Sequence, residues 1–356
     1  MGRDLAQEAE LLLKEERLLR DMRVPEQFFL APPVPDLPED CHAWRAKAGA
    51  RIEPPDLADS APHGTNVTEF DTRLLWHGHM RTVRSPAIIT ALLAVTEVMR
   101  ANRQREYGRI GMMVDGPRGT GKSTLLQAIA MYWERRFSKL YGPDENRIPV
   151  VALSVPPLPV RGTQRDWAGA FARFLGQERA SANLTESVIR TMRSARTQMV
   201  VIDGIERLRS APEAEAALQY LEMICEDTGA TFIYCGRGAQ NIVDPYTRDN
   251  DTHLDLDEML RGDHPVLRLG RMGFDDEGVE KFQRVLGLFD ADLRLWKHER
   301  GDLLDIADYL HTRSRGYMRM LSHLICQGAQ LAIRTQQERI TQDLLEKVTV
   351  GRTVEL

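Results

Sequence analysis

At 356 residues, 42% of them hydrophobic, the chain is long enough to bury a large core, and one major domain with appendages is expected without a disulfide or metal staple. Four cysteines (Cys41, Cys225, Cys235, Cys326) lie far apart with no CxxC pair and no paired histidines nearby, so neither a zinc site nor a disulfide framework is indicated and a reducing cytoplasm is expected. The net charge of −5 gives no whole-protein attraction for nucleic acid, so any such contact needs a local basic patch.

Residues 4–22 (DLAQEAELLLKEERLLRDM) set Leu11, Leu12, Leu18, Leu19 and Met22 among charges, the pattern of an amphipathic helix that packs on its own protein or docks a partner. Asp4, Glu8 and Glu10 ahead of any apolar run do not suit a secretory signal. No apolar run approaches membrane-spanning length, so a soluble, cytoplasmic protein with no membrane role is expected. Residues 31–63 are rich in proline and poor in large apolar residues, an extended connector ahead of the folded body.

From about residue 85 the pattern alternates. Helices are expected over 86–103, 122–137, 166–176, 184–196 and 212–227. Strands are expected at IGMMVD (110–115), PVVALSV (149–155), MVVID (199–203), TFIYC (231–235) and PVLRL (265–269). Short β-branched and aliphatic runs bounded by turn signals, with helices between them, predict a five-stranded parallel sheet buried on both faces.

The strongest chemical signal is GPRGTGKS (116–123), which fits G-x-x-x-x-G-K-[ST] and sits after a strand and at the start of a helix. Gly116, Gly119 and Gly121 let the backbone curl so that its N–H groups face phosphate oxygens, and the following helix adds its positive dipole end. The ATP-binding segment is read as Gly116, Pro117, Arg118, Gly119, Thr120, Gly121, Lys122, Ser123 and Thr124. Lys122 reaches the β and γ phosphates, Ser123 gives a hydroxyl to Mg2+, and Thr124 supports the helix start. About 80 residues on, VVID delivers Asp203 to a strand end beside the loop, where it holds the magnesium water shell; the competing reading is an aspartate capping the next helix.

The chain resembles the bacterial AAA+ transposition regulators called TniB or TnsC, ATPases that help select target DNA for a transposase. The resemblance runs over about three quarters of the chain, from FDTRLLWHGHMRTVRSPAII (70–89) through GPRGTGKST, IPVVALSVPP (148–157), FARFLG (171–176), VVIDGIERL (200–208) and ATFIYCG (230–236). It closes on YLHTRSRGYMRMLSHLICQGAQLAIRTQQERITQDLLEKV (309–348), which looks like the family's lid. Leu321, Leu324, Ile325, Ala329, Ala332 and Ile333 make an apolar stripe there, and Thr341 suits an N-cap. The resemblance implies a P-loop NTPase of AAA+ type, a three-layer α/β/α domain with a C-terminal helical lid. The expected division is 1–63 for the N-terminal helix and arm, 64–270 for the core and 271–356 for the lid.

One departure bears on chemistry. The family usually has Asp-Glu at this strand end, whereas this chain has Asp203-Gly204, so the residue that orients the attacking water is missing. Glu206, three residues on, is one substitute; Glu222, Glu226 or an acid from a neighbouring subunit are others. The family further implies Arg237 as a γ-phosphate sensor and Arg319 as a second sensor on the lid. Its arginine finger falls on Arg248, Arg261 or Arg268 without a choice among them. The loop VPPLPVRGTQRDW (155–167) carries Arg161, Thr163, Gln164 and Arg165, a group suited to phosphate contacts without base readout.

The reading is an ATP- and Mg2+-binding regulator that assembles on duplex DNA as a homo-oligomeric ring or helical filament. It recruits a transposase or target-selector protein, with slow or partner-stimulated hydrolysis. The alternatives are a protein-triggered signalling or defence ATPase without a DNA role and, less suited to a helical lid, a small-molecule kinase.

Overall fold

The computed structural model describes residues 37–38, 40–50, 54–60, 71–79, 86–142, 144–159, 164–177, 183–208, 210–239, 242 and 264–349. The expected helix at 4–22 lies outside them. Within 31–63, one expectation is corrected: α1 (Cys41–Gly49) interrupts the connector, and its segment CHAWRAKAG holds no proline. Asp40 caps it by accepting from the Ala43 N–H at 2.8 Å, and Trp44 is buried.

Two further helices, α2 (Thr72–His79) and α3 (Pro86–Arg103), precede the sheet. Then β1 (Met112–Asp115), α4 (Lys122–Tyr141), β2 (Val150–Ser154), α5 (Trp167–Phe174), α6 (Leu184–Ser194), β3 (Met199–Asp203), α7 (Ala211–Thr228), β4 (Thr231–Gly236) and β5 (Val266–Arg268) follow in alternation. The five strands are all parallel in the order β2-β3-β4-β1-β5. Consecutive strand residues point to opposite faces, and Met199, Val200, Val201 and Ile202 are all fully buried, so helices cover the sheet on both sides. Helix limits follow local chemistry. Ser210 accepts from the Glu213 N–H to start α7, a proline occupies its first turn, and Gly229 at φ 75° ends it. Asn102 of α3 bonds both polar groups of Ile110 and the Thr231 hydroxyl, fixing that helix to the chain entering β1 and to the start of β4.

A second apolar cluster forms from α8 (Asp276–Asp292), α9 (Asp302–Asp305), α10 (Ala307–Ser314), α11 (Met318–Arg334) and α12 (Gln342–Glu346). The expected stripe Leu321, Leu324, Ile325, Ala329, Ala332 and Ile333 is its fully buried seam. Thr341 accepts from the Leu344 N–H at 3.2 Å to start α12, as its sequence position indicates. Leu74 of α2 joins this cluster, so that helix packs with the lid although it lies in the segment assigned to the core.

Buried polar groups hold α2 there. Arg73, fully buried, pairs with Asp71 at 2.8 Å and with Glu338 at 2.9 Å, and Glu338 also accepts the Trp296 N–H. Trp76 donates to the Asp292 carbonyl at 2.8 Å. Burial lowers His77 to a pKa of about 4, so the neutral ring accepts the Arg294 N–H.

On α4, Glu134 is buried beside Trp44 and 4.0 Å from Arg45 of α1, and burial raises its pKa from the ordinary 4.5 to about 7. A carboxyl held protonated by the fold stabilises fully below its unfolded pKa and loses that contribution as pH rises through the folded one. Thermal unfolding is therefore expected to show stability falling between about pH 4.5 and 7 by on the order of 1 to 3 kcal/mol. Glu134→Gln should flatten that slope and leave the variant the more stable form at pH 8; an unchanged slope would refute the assignment.

Candidate nucleotide-binding site

The carboxyl ends of β1, β3 and β4 converge on the loop 116–121. Asp115, the last residue of β1, accepts the Gly116 N–H at 2.5 Å and the Gly238 N–H at 2.8 Å, joining the loop to the turn after β4. The Thr120 hydroxyl and the Lys122 ammonium both donate to the Pro117 carbonyl, at 3.0 and 2.7 Å, which fastens the curl from inside. Gly116 has φ 151°, and a Cβ there would collide with the Leu269 carbonyl, so only glycine lets the chain leaving β5 pass this close.

The N–H groups of residues 119–123 meet no acceptor among the described residues, and α4 starts on them with no side-chain cap. A helix of 20 residues that opens on unpaired donors presents a positive end. The residues therefore fit a polyphosphate: donors from the loop, a lysine, and the Ser123 hydroxyl on the first turn.

Asp203 ends β3 in register with Cys235 of β4, and Cys235 in turn is in register with Val114 of β1. Burial pushes the Cys235 thiol well above its ordinary pKa, and the neighbouring Asp203 pushes the same way; Lys122 and Glu206 also act on it. Gly204 then adopts the left-handed conformation (φ 85°) and starts a single 3-10 turn, Ile205–Arg207. Glu206 is exposed, and its Oε2 accepts the Arg237 N–H at 3.3 Å.

The lid reaches the same place. The Arg319 N–H, on the first turn of α11, donates to the Gly119 carbonyl at 3.0 Å. Tyr317 and Met318 lie against Gly119 and Gly121, 3.8 and 3.6 Å from where their Cβ atoms would be. Behind this contact, Met272 in the segment joining β5 to α8 donates to the Gly316 carbonyl at 2.9 Å and accepts from His311 at 3.0 Å. His311 is stacked between Phe274 and Phe282, with centroids 4.2 Å away on either side.

Of the residues named from sequence, Lys122, Asp203, Glu206, Arg237 and Arg319 thus gather at one edge of the sheet, and Arg268 is in register with Asp115 there. Glu226 does not: it pairs with Arg109, ahead of β1 at the opposite edge, and Glu222 is one turn earlier on the same helix. Arg161, Thr163, Arg248 and Arg261 lie outside the described residues. Gln164 is exposed. Arg165 departs from a role at an open surface: its side chain is only 5% exposed, pairs with Glu213 at 2.6 Å and donates to the Pro156 and Arg207 carbonyls. Asp115, Cys235, Tyr317 and Met318 had no role in the sequence reading. Asp115 alone carried a signal, as the last strand residue before the loop.

Residues 105–240 match the family model described as AAA domain. Among solved structures, the Aeropyrum pernix ORC1 protein in complex with DNA is similar at TM-score 0.50 and 14% identity, over 78% of this chain and 68% of that one. Domain III of the Thermotoga maritima replication initiation protein DnaA is similar at TM-score 0.43 and 14% identity, over 74% and 92%. No curated protein matches the chain. The fold is that of a P-loop AAA+ ATPase. In open parallel sheets ligands sit beyond the carboxyl ends of the strands, and in this AAA+ fold that edge carries the loop, Asp203 and the first turn of the lid helix. No helix among the described residues is long and apolar enough to cross a membrane.

Proposed function

We propose that the chain binds Mg·ATP at residues 116–124 and assembles with ATP on duplex DNA into a ring or helical filament. There it recruits or activates a transposase, with slow or partner-stimulated hydrolysis. The observation that carries the nucleotide reading is the direct bond from the lid to the loop, Arg319 N–H to Gly119 carbonyl at 3.0 Å. A ligand bound to that loop meets the lid helix at once, so lid position is linked to occupancy. Ser123 and Asp203 are the residues to hold magnesium, whose chemistry here is to neutralise phosphate charge while keeping most of its water. Lys122 offers a cation to the terminal phosphates, and Arg237 and Arg319 are the candidate sensors beside it.

The DNA part rests on the sequence resemblance and on Arg161, Thr163 and Gln164 in the segment after β2; Arg165, engaged within its own subunit, is better read as the anchor of that segment. The ORC1 neighbour was solved with DNA. The test is fluorescence anisotropy of a labelled duplex titrated with protein in ATP, ADP or no nucleotide. Tight binding in ATP alone, weakened alike on every sequence by Arg161→Ala and with a flatter salt dependence, is the expected result. Nucleotide-independent failure to bind at low salt would refute the DNA reading and favour an ATPase triggered by a protein partner.

A further inference from the structure

In this site the position after Asp203 cannot serve a water-orienting acid. Gly204 sits at φ 85°, where a side chain is strained, and a Cβ there would come within 3.0 Å of the Arg207 Nε. The same glycine turn has a second effect: it rotates the chain so that residue 206 lies over the end of β4. There the backbone leaves room, because β4 ends in Gly236, at which a Cβ would collide with Glu206 Oε2 and approach the Ile205 side chain at 2.7 Å.

We propose that Glu206 is the acid that orients water for hydrolysis, admitted to its place by the absence of side chains at Gly204 and Gly236. The inference rests on the nucleotide reading given above. Among the described residues Glu206 makes no ion pair, one carboxylate oxygen accepts the Arg237 N–H, and the other meets no hydrogen-bond donor. Its charge acts on the Cys235 thiol together with those of Asp203 and Lys122, so the acid belongs to the same edge of the sheet as the expected phosphate and metal groups. The other acids weighed from the chain are elsewhere, Glu226 on Arg109 at the far edge with Glu222 one turn from it. Glu206 accepts the proton released by a water as the water oxygen bonds to the γ-phosphorus and ADP departs with the electrons of the broken P–O bond.

The alternative role for the carboxylate is to cap the turn after β4 through the Arg237 N–H, and glutamine separates the two. The amide oxygen of Glu206→Gln still accepts that N–H but takes no proton. The experiment measures binding of a fluorescent ATP analogue and release of phosphate, with and without DNA, for the parent, Glu206→Gln, Gly236→Ala and Lys122→Ala. Glu206→Gln is expected to bind nucleotide within about 2-fold of the parent and to lose on the order of 100-fold in turnover. Gly236→Ala, which displaces the carboxylate, should lose turnover in the same way, and the double variant should be no slower than Glu206→Gln alone. Turnover unchanged in Glu206→Gln would overturn the proposal, as would a parent that binds ATP and never hydrolyses it. A parent that binds no better than Lys122→Ala would overturn the nucleotide reading itself, and the inference with it.

Discussion

Arg73→Ala is expected to destabilise the protein by about 3 to 5 kcal/mol, the typical effect of removing one member of a buried ion pair. The arginine is fully buried between Asp71 and Glu338, and without it two buried carboxylates face each other. Glu338 is also held at φ 56°, so the turn it occupies depends on its side-chain bonds to Arg73 and to the Trp296 N–H. The loss should concentrate in the lid and α2, and hydrogen exchange of α11 should report it before β3 and β4 respond. Thermal unfolding gives the total. A variant carrying Asp71→Asn, Arg73→Met and Glu338→Gln together should recover much of the loss, because no charge is then left unpaired. If Arg73→Ala unfolds like the parent, the triad is not what holds α2 to the lid.

Lys122→Ala is expected to weaken ATP binding about 10- to 150-fold, the equivalent of one charge-assisted contact at about 1.5 to 3 kcal/mol. Isothermal titration or a fluorescent analogue measures it, and the rise in melting temperature that ATP confers should shrink accordingly. ATP-dependent binding to duplex DNA should vanish at nucleotide concentrations that saturate the parent. The Lys122 ammonium holds the Pro117 carbonyl at 2.7 Å, so unfolding without nucleotide is run alongside to separate a slackened loop from a lost phosphate contact. Unchanged affinity would place nucleotide elsewhere.

Much of the core was legible because its signals are local. β3 spans Met199–Asp203 and α3 spans Pro86–Arg103 as read from the sequence, since aliphatic runs and helical periodicity need no knowledge of distant residues. Strand limits moved by one or two residues where the ladder stops pairing, as at β1, which starts at Met112 instead of residue 110. The helix Cys41–Gly49 was hidden by the prolines on both sides of it, and its stability comes from α4: Arg135 donates to the Ala48 and Ala50 carbonyls, and Trp44 is buried. Arg165 looked like a phosphate contact beside Arg161, yet Glu213, 48 residues on, claims it. A charged residue in a loop shows its charge in the sequence but not its partner.

By itself, the sequence determined the glycine-rich loop between β1 and α4, the aspartate at the end of β3 and the parallel α/β character, because a loop between strand and helix and a buried aliphatic strand are written in adjacent residues. Only the tertiary structure decided the strand order, the attachment of α2 to the lid through Arg73 and Glu338, the bond between Gly119 and Arg319, and the position of Glu206 over Gly236. Each of these joins residues about 30 to 265 apart in the chain. Contacts of that span depend on how whole elements pack, and a spacing rule along the chain carries no information about them.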